Sequence, residues 1–276
     1  MFSWRDIGLC ISAFIMQTFY NKLATVTKKN NSLLCVGLDS DINKIPKNYS
    51  QFAFNKKIID DTHDLVCAYK PNSAFYEARG EQGIKELKMT CDYLREKYPD
   101  IVLILDAKRA DIGNTNNGYV SFIFDYLGAD AVTLHPYLGR EAIQPFLDRK
   151  EKGSIILCRT SNPGAGEFQD GLYKTVAEHV ARDWNTNNNC GLVVGATCPR
   201  ELKIVRRIVK NMPILIPGIG AQGGDIEMAV KLGTDNSGFG AIINVSRKLI
   251  FSHDAIRSMA LTLKDSINRF RNKGGI

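Results

Sequence analysis

Four charged residues stand close together in "LDAKRADIGNT" (105–115): Asp106, Lys108, Arg109 and Asp111. Carboxylates alternating with ammoniums can stabilise developing charge and move a proton. The same residues can instead form a structural ion pair that closes one end of a fold. The cluster directly follows the apolar run "IVLIL", so it sits at a strand end. Residues two apart on a strand share a face, which brings Asp106 and Lys108 together and turns Ala107 and Arg109 away. Lys70 ends a neighbouring run, "LVCAYKPN" (65–72), and can reach them. Burying such a row is expensive unless the charges are paired. Asp111 lies in the following loop, before "NTN". Taken alone, it reads as a carboxylate favoured at a helix N-terminus.

Two further stretches carry chemical signals. "PGIGAQGGD" (217–225) contains Gly218-x-Gly220-x-x-Gly223 between a strand and a helical run. This matches a dinucleotide fingerprint, but a lone match is weak. It also comes late in the chain, and Asp235 is a poor ribose-binding acid. Backbone N–H groups at a helix start cradle a monophosphate equally well, and Arg247 could grip that phosphate bidentately. "RTSNPGAGEFQD" (159–170) is a long loop whose Gly and Pro content suits a mobile lid; an ordinary surface turn is the plainer alternative. No G-x-S-x-G occurs, and no His pair has metal-ligand spacing. His135 alone of the four histidines ends a strand, where a satisfied core or rim histidine is expected.

These residues need a scaffold. Eight apolar, β-rich runs recur: 33–39, 65–72, 101–108, 131–136, 154–160, 191–197, 213–220 and 241–246. Helical patterns lie between most of them. "EQGIKELKMTCDYLREKY" carries an apolar stripe at Ile84, Leu87, Met89, Tyr93 and Leu94, and "NTNNGYVSFIFDYLG" reads as a helix ending at Gly128. The first helix is expected over 19–28. Strands alternating with helices imply βαβ units and a parallel sheet. Eight of them suit a single-domain (β/α)8 barrel, with an open doubly wound sheet as the alternative. In a barrel, functional residues gather at the C-terminal strand ends. Polar residues do end the runs: Asp39, Lys70 and Asn72, Asp106 and Lys108, His135, Arg159 to Ser161, Thr197, Gln222, then Asn244, Ser246 and Arg247.

The bulk properties narrow the classes. The chain has 276 residues, 44% hydrophobic and 24% charged, with a formal net charge of +7. Its basic residues are scattered, without a basic run interleaved with aromatics, so nucleic acid is not expected as a partner. Seven cysteines, odd in number and without C-x-x-C spacing, argue for a reducing compartment and against zinc or a disulfide framework. The uncharged stretch from Ile7 to Tyr20 is shorter than the ~20 residues of a membrane span. It also lacks a clear signal-peptide pattern, so no membrane association is expected. Residues 1–15 read as an N-terminal extension, with Met16 as an alternative start and 16–276 as the barrel. The stretch 233–240 does not fit a compact barrel loop.

"LDAKRADIGNT" resembles the D-x-K-x-x-D-I-x-x-T signature of the orotidine 5'-monophosphate decarboxylases. "GLDSD", "AYKPN", "SNPGAGEFQD" and "PGIGAQGGD" match further blocks in the same order, over about residues 16–260. The "KPN" after the second strand is similar to a divergent branch found in many bacteria and some protists. The resemblance implies a cytoplasmic (β/α)8 homodimer that converts orotidine 5'-monophosphate to UMP and carbon dioxide, with no cofactor and no metal. Carried over by position, Lys70, Asp106, Lys108 and Asp111 form a charged tetrad in which Lys108 protonates C6. Asp111, with Ile112 and Thr115, would enter the other subunit's site, which replaces the helix-start reading of Asp111. Asp39 and Lys70 would hold ribose hydroxyls, Ser161 the pyrimidine edge, and Pro217 would lie beside the base. Gln222 and Arg247 would bind the phosphate, and Asn72 lies close to the tetrad. Magnesium-dependent sugar-phosphate decarboxylases and aldolases share D-x-K-x-x-D but place an acid where Lys70 stands.

Overall fold

Each of the eight apolar runs forms one short strand: β1 Leu34–Gly37, β2 Ala68–Lys70, β3 Val102–Arg109, β4 Ala131–Leu134, β5 Gly153–Arg159, β6 Cys190–Val194, β7 Ile214–Ile216 and β8 Ala241–Val245. The structure, a computed structural model, describes residues 17–220, 223–252 and 255–271. The proposed extension 1–15 and the Met16 start lie outside these. All neighbouring strands pair in parallel, and β8 closes on β1 through Leu34↔Ile243, Cys35↔Asn244 and Val36↔Val245. That closure makes the fold a (β/α)8 barrel and excludes the open sheet. The strands are almost wholly buried, because side chains fill the barrel on one face and helices cover the other. This is why the runs read as continuous apolar segments rather than alternating ones.

The helices follow local signals, with instructive departures. The first spans Phe19–Lys29, with the Thr18 side chain accepting from Asn21 N–H. The helix Gly80–Lys97 buries Leu87, Thr90, Cys91 and Leu94, whereas Met89 is exposed. The buried stripe therefore runs through Thr90 and Cys91, where the sequence pattern favoured Met89. The stretch expected as one helix up to Gly128 is an α-helix, Gly113–Val120, that continues as a π-helical turn, Ser121–Tyr126. Gly128 then supplies a left-handed φ of +70°, as a helix end requires.

Segment 233–240 has a structural task. It precedes β8, at the end of the barrel opposite the C-terminal strand ends. The buried Arg206 guanidinium donates to the carbonyls of Gly233 (2.6 Å), Gly240 (2.7 Å) and Met212 (2.7 Å). The Phe239 ring lies under the Arg271 guanidinium at 4.3 Å. The basic cluster around Arg206 is thus partly a clamp on backbone carbonyls.

Two strands are irregular where they reach the C-terminal face. The β3–β4 register shifts between Leu105 and Arg109, and the β5–β6 register shifts between Leu157 and Arg159. Bulges of this kind re-aim side chains beside functional sites.

Candidate active site

The strand ends converge on a cavity of about 600 Å³. Of the residues singled out from the sequence, Asp39, Lys70, Asn72, Asp106, Lys108, Ser161, Pro217 and Arg247 line it. Thr160, Asn244 and Ser246, also noted at strand ends, line it as well. Within its lining lies a three-charge array. Lys70 Nζ sits 3.0 Å from Asp106 Oδ2, and Lys108 Nζ sits 2.7 Å from Asp106 Oδ1. Asn72 Nδ2 approaches Oδ2 at 3.5 Å. Lys70 is only 3% exposed, so its charge depends on its partners.

Alternation along a regular strand is not what aims Lys108. It has a left-handed φ of +48°, inside the β3 irregularity. A non-glycine residue there is strained and must be held by its surroundings. Thr133, inside β4, holds it. The Thr133 hydroxyl accepts from Lys108 N–H at 3.0 Å and donates to Asp106 Oδ1 at 2.8 Å. Sequence reasoning missed Thr133. Its signal was a lone hydroxyl inside a strand buried on both faces, which demands a hydrogen-bond partner. Leu157, Val193 and Leu215 also line the cavity, but nothing local separates them from ordinary core residues.

Burial alone would raise the Asp106 carboxyl, but the ammoniums of Lys70 and Lys108 outweigh it and hold the pKa well below the usual 3.8. Burial would likewise lower Lys70, and the charges of Asp106 and Asp39 outweigh it, lifting the pKa well above 10.5. The Asp106 share of stability is therefore complete above pH 3.8 and fades as pH falls below it. The Lys70 share is complete below pH 10.5 and fades as pH rises beyond it. We expect the Asp106 carboxyl resonance in a ¹³C titration to stay flat from about pH 4 to 9. A midpoint inside that window contradicts the pairing.

Asp39 Oδ1 is buried with no hydrogen-bond partner among the described residues, so the cavity holds an acceptor waiting for a donor. Asp111, Ile112 and Thr115 do not line it. Asp111 Oδ1 accepts from Ile112 N–H at 2.6 Å, just ahead of the helix Gly113–Val120. Ile112 is 64% exposed. Asn116 ties this corner down by donating to the carbonyls of Asp111 and Ala142. Arg109 faces away, paired with Glu77 and stacked over Tyr119 at 5.2 Å.

The expectation for the glycine loop is corrected in part. Gly218, Gly220 and Gly223 all have left-handed φ, at +99°, +77° and +83°, so the loop does need glycine. The start of the following helix, Ile226–Gly233, is not open to a phosphate. The Asp225 carboxylate already accepts from Glu227 N–H at 2.7 Å and Met228 N–H at 3.1 Å. Gly218 and Ile219 of the loop line the cavity, as does Arg247. Gln222 lies outside the described residues. The expectation of a satisfied core or rim histidine is not met at His135 Nδ1, which is buried with no hydrogen-bond partner among the described residues; the residue does not line the cavity. Thr197 also lies outside the lining, its hydroxyl donating to Ser161 O at 3.3 Å.

The loop after β5 is tied to its strand. Thr160 N–H donates to Gln169 Oε1 at 2.7 Å, and Arg159 pairs with Asp170 at 2.9 Å. Among the described residues, no group of three or more His, Cys, Asp or Glu could hold a metal ion. No helix there is long and apolar enough to cross a membrane.

Residues 32–260 match the family model "Orotidine 5'-phosphate decarboxylase / HUMPS family". The chain is 47% identical over 271 residues to the orotidine 5'-phosphate decarboxylase of Janthinobacterium sp. (strain Marseille), covering 92% of this chain and 99% of that one. The solved structure of Leishmania donovani OMP decarboxylase is similar at 37% identity and a TM-score of 0.83, covering 92% of this chain and 99% of that one. Leishmania donovani UMP synthase is similar at 39% identity and a TM-score of 0.85. There the match covers 92% of this chain and 57% of the synthase, so the chain spans a little over half of it.

Proposed function

The chain belongs to the orotidine 5'-phosphate decarboxylase family, and from that premise we propose that it converts orotidine 5'-monophosphate to UMP and carbon dioxide in pyrimidine biosynthesis, without a cofactor. The observation that carries the reading is the Lys70–Asp106–Lys108 array, paired at 3.0 and 2.7 Å in the mouth of the barrel.

Loss of carbon dioxide from C6 of the pyrimidine leaves an electron pair with no adjacent sink. A fixed ammonium beside that carbon stabilises the charge more effectively than water, because it needs no reorganisation as the charge appears. Lys108 is that ammonium, and it then delivers its proton to C6. Asp106 keeps Lys70 charged and orients both lysines. Asp39, with its unpartnered Oδ1, accepts from a ribose hydroxyl, and Lys70 donates to another. Ser161 reads the pyrimidine edge, Pro217 flanks the base, and Arg247 with Gln222 binds the phosphate. Binding the remote phosphate supplies energy for closing the loops over the reacting carbon.

Asp111, Ile112 and Thr115 complete the site of a second subunit in a homodimer. Their absence from the cavity of their own chain and the exposure of Ile112 support this assignment. Asp111 then adds the second carboxylate of a Lys-Asp-Lys-Asp array.

Lys70 argues against the magnesium-dependent relatives. A buried ammonium 3.0 Å from Asp106 stands where those relatives place an acid, and its positive charge would repel a divalent cation. The test is the fall in ultraviolet absorbance when the protein meets orotidine 5'-monophosphate in excess EDTA. Steady turnover is expected. Turnover that requires added magnesium would favour the metal-dependent reading.

A further inference from the structure

Thr133 is 1% exposed, and its hydroxyl makes two hydrogen bonds whose directions are chemically fixed. An amide N–H can only donate and an ionised carboxylate can only accept. Lys108 N–H therefore donates to Thr133 Oγ1 at 3.0 Å, and the single hydroxyl proton goes to Asp106 Oδ1 at 2.8 Å. Asp106 Oδ1 is the same atom that receives Lys108 Nζ at 2.7 Å. One hydroxyl thus bridges the backbone of Lys108 and the carboxylate that orients its side chain.

The position matters because the β-ladder breaks there. Between Leu105↔Val132 and Arg109↔Leu134, β3 advances four residues while β4 advances two. The Lys108 backbone is left-handed in that gap, and its N–H donates to the Thr133 side chain. A residue held in a sparsely populated conformation keeps it only when its neighbours over-determine it.

We propose that Thr133 is a positioning residue for the decarboxylation. Its hydroxyl holds the Lys108 backbone in the bulged conformation and locks Asp106 Oδ1, so that the Lys108 ammonium stands where the proton is delivered. Thr133 does not itself donate to the substrate, since its one proton is committed to Asp106. The proposal rests on the decarboxylase reading of the site.

The test compares Thr133→Val, which keeps the shape and removes the hydroxyl, with Thr133→Ser, which keeps the hydroxyl and removes the methyl group. For Thr133→Val we expect kcat to fall about 10- to 100-fold, the loss typical of a displaced catalytic group, with KM changed less than about threefold. Thr133→Ser should recover most of that loss. If Thr133→Val does not fold, Thr133→Ala against Thr133→Ser decides, since these differ only in the hydroxyl. A kcat within about threefold of wild type for the hydroxyl-free variant overturns the proposal. So does a Ser variant as impaired as the Val or Ala variant, which would assign the effect to packing by the methyl group. Wild-type protein that does not turn over orotidine 5'-monophosphate overturns the underlying reading instead.

Discussion

Replacing Lys108 with alanine is expected to lower kcat/KM for orotidine 5'-monophosphate by about 10³- to 10⁵-fold while the protein stays folded. In the proposed mechanism one side chain both stabilises the C6 charge and supplies the proton. Removing an electrostatic stabiliser alone costs about 10²- to 10³-fold, and removing a general acid about 10²- to 10⁴-fold. The effects fall on one residue and will not add fully. Stability should change little. The Lys108 side chain is about half exposed, at 48%, and Asp106 keeps Lys70 at 3.0 Å as a partner. Alanine also keeps the Cβ that lysine had at φ +48°, so the backbone strain is unchanged. Glycine would relieve that strain and confuse the comparison. Single-turnover assays with thermal unfolding of both proteins check the expectation. Equal rates for variant and wild type would remove Lys108 from the chemistry.

Mixing two inactive proteins, Lys108→Ala and Asp111→Ala, is expected to restore activity. In the proposed homodimer, each site draws Lys108 from one subunit and Asp111 from the other. A mixed dimer therefore holds one site with both residues intact and one with neither. After complete exchange, half the dimers are mixed and half of their sites are whole, so activity should approach about a quarter of wild type. The measurement is turnover after denaturant-assisted exchange, with mixed dimers verified by differential tagging. Verified mixed dimers without activity would sink the shared site and return Asp111 to a local role beside Ile112 N–H.

Much of this was legible in the chain itself. Eight apolar runs separated by helical patterns implied eight parallel strands, because doubly buried strands and amphipathic helices are written in local residue order. The acids and bases at the strand ends named Asp39, Lys70, Asp106, Lys108 and Arg247 before any contact was known, since barrels concentrate chemistry there. The resemblance of "LDAKRADIGNT" to a known signature supplied roles that spacing alone left open.

What the chain did not disclose depends on partners distant in sequence. Simple alternation placed Asp106 and Lys108 on one face, but Lys108 reaches Asp106 through a left-handed bulge, which exists only because β4 pairs out of step with β3. Thr133 looked like one polar residue in an apolar run until that register set its hydroxyl against Lys108 N–H and Asp106. The glycine loop looked ready to present a helix start to phosphate, until Asp225 proved to fill it. Residue type and local periodicity thus determined which elements form and which charges stand at their ends. Strand register, a pairing between segments that neither segment specifies alone, decided how those charges face one another.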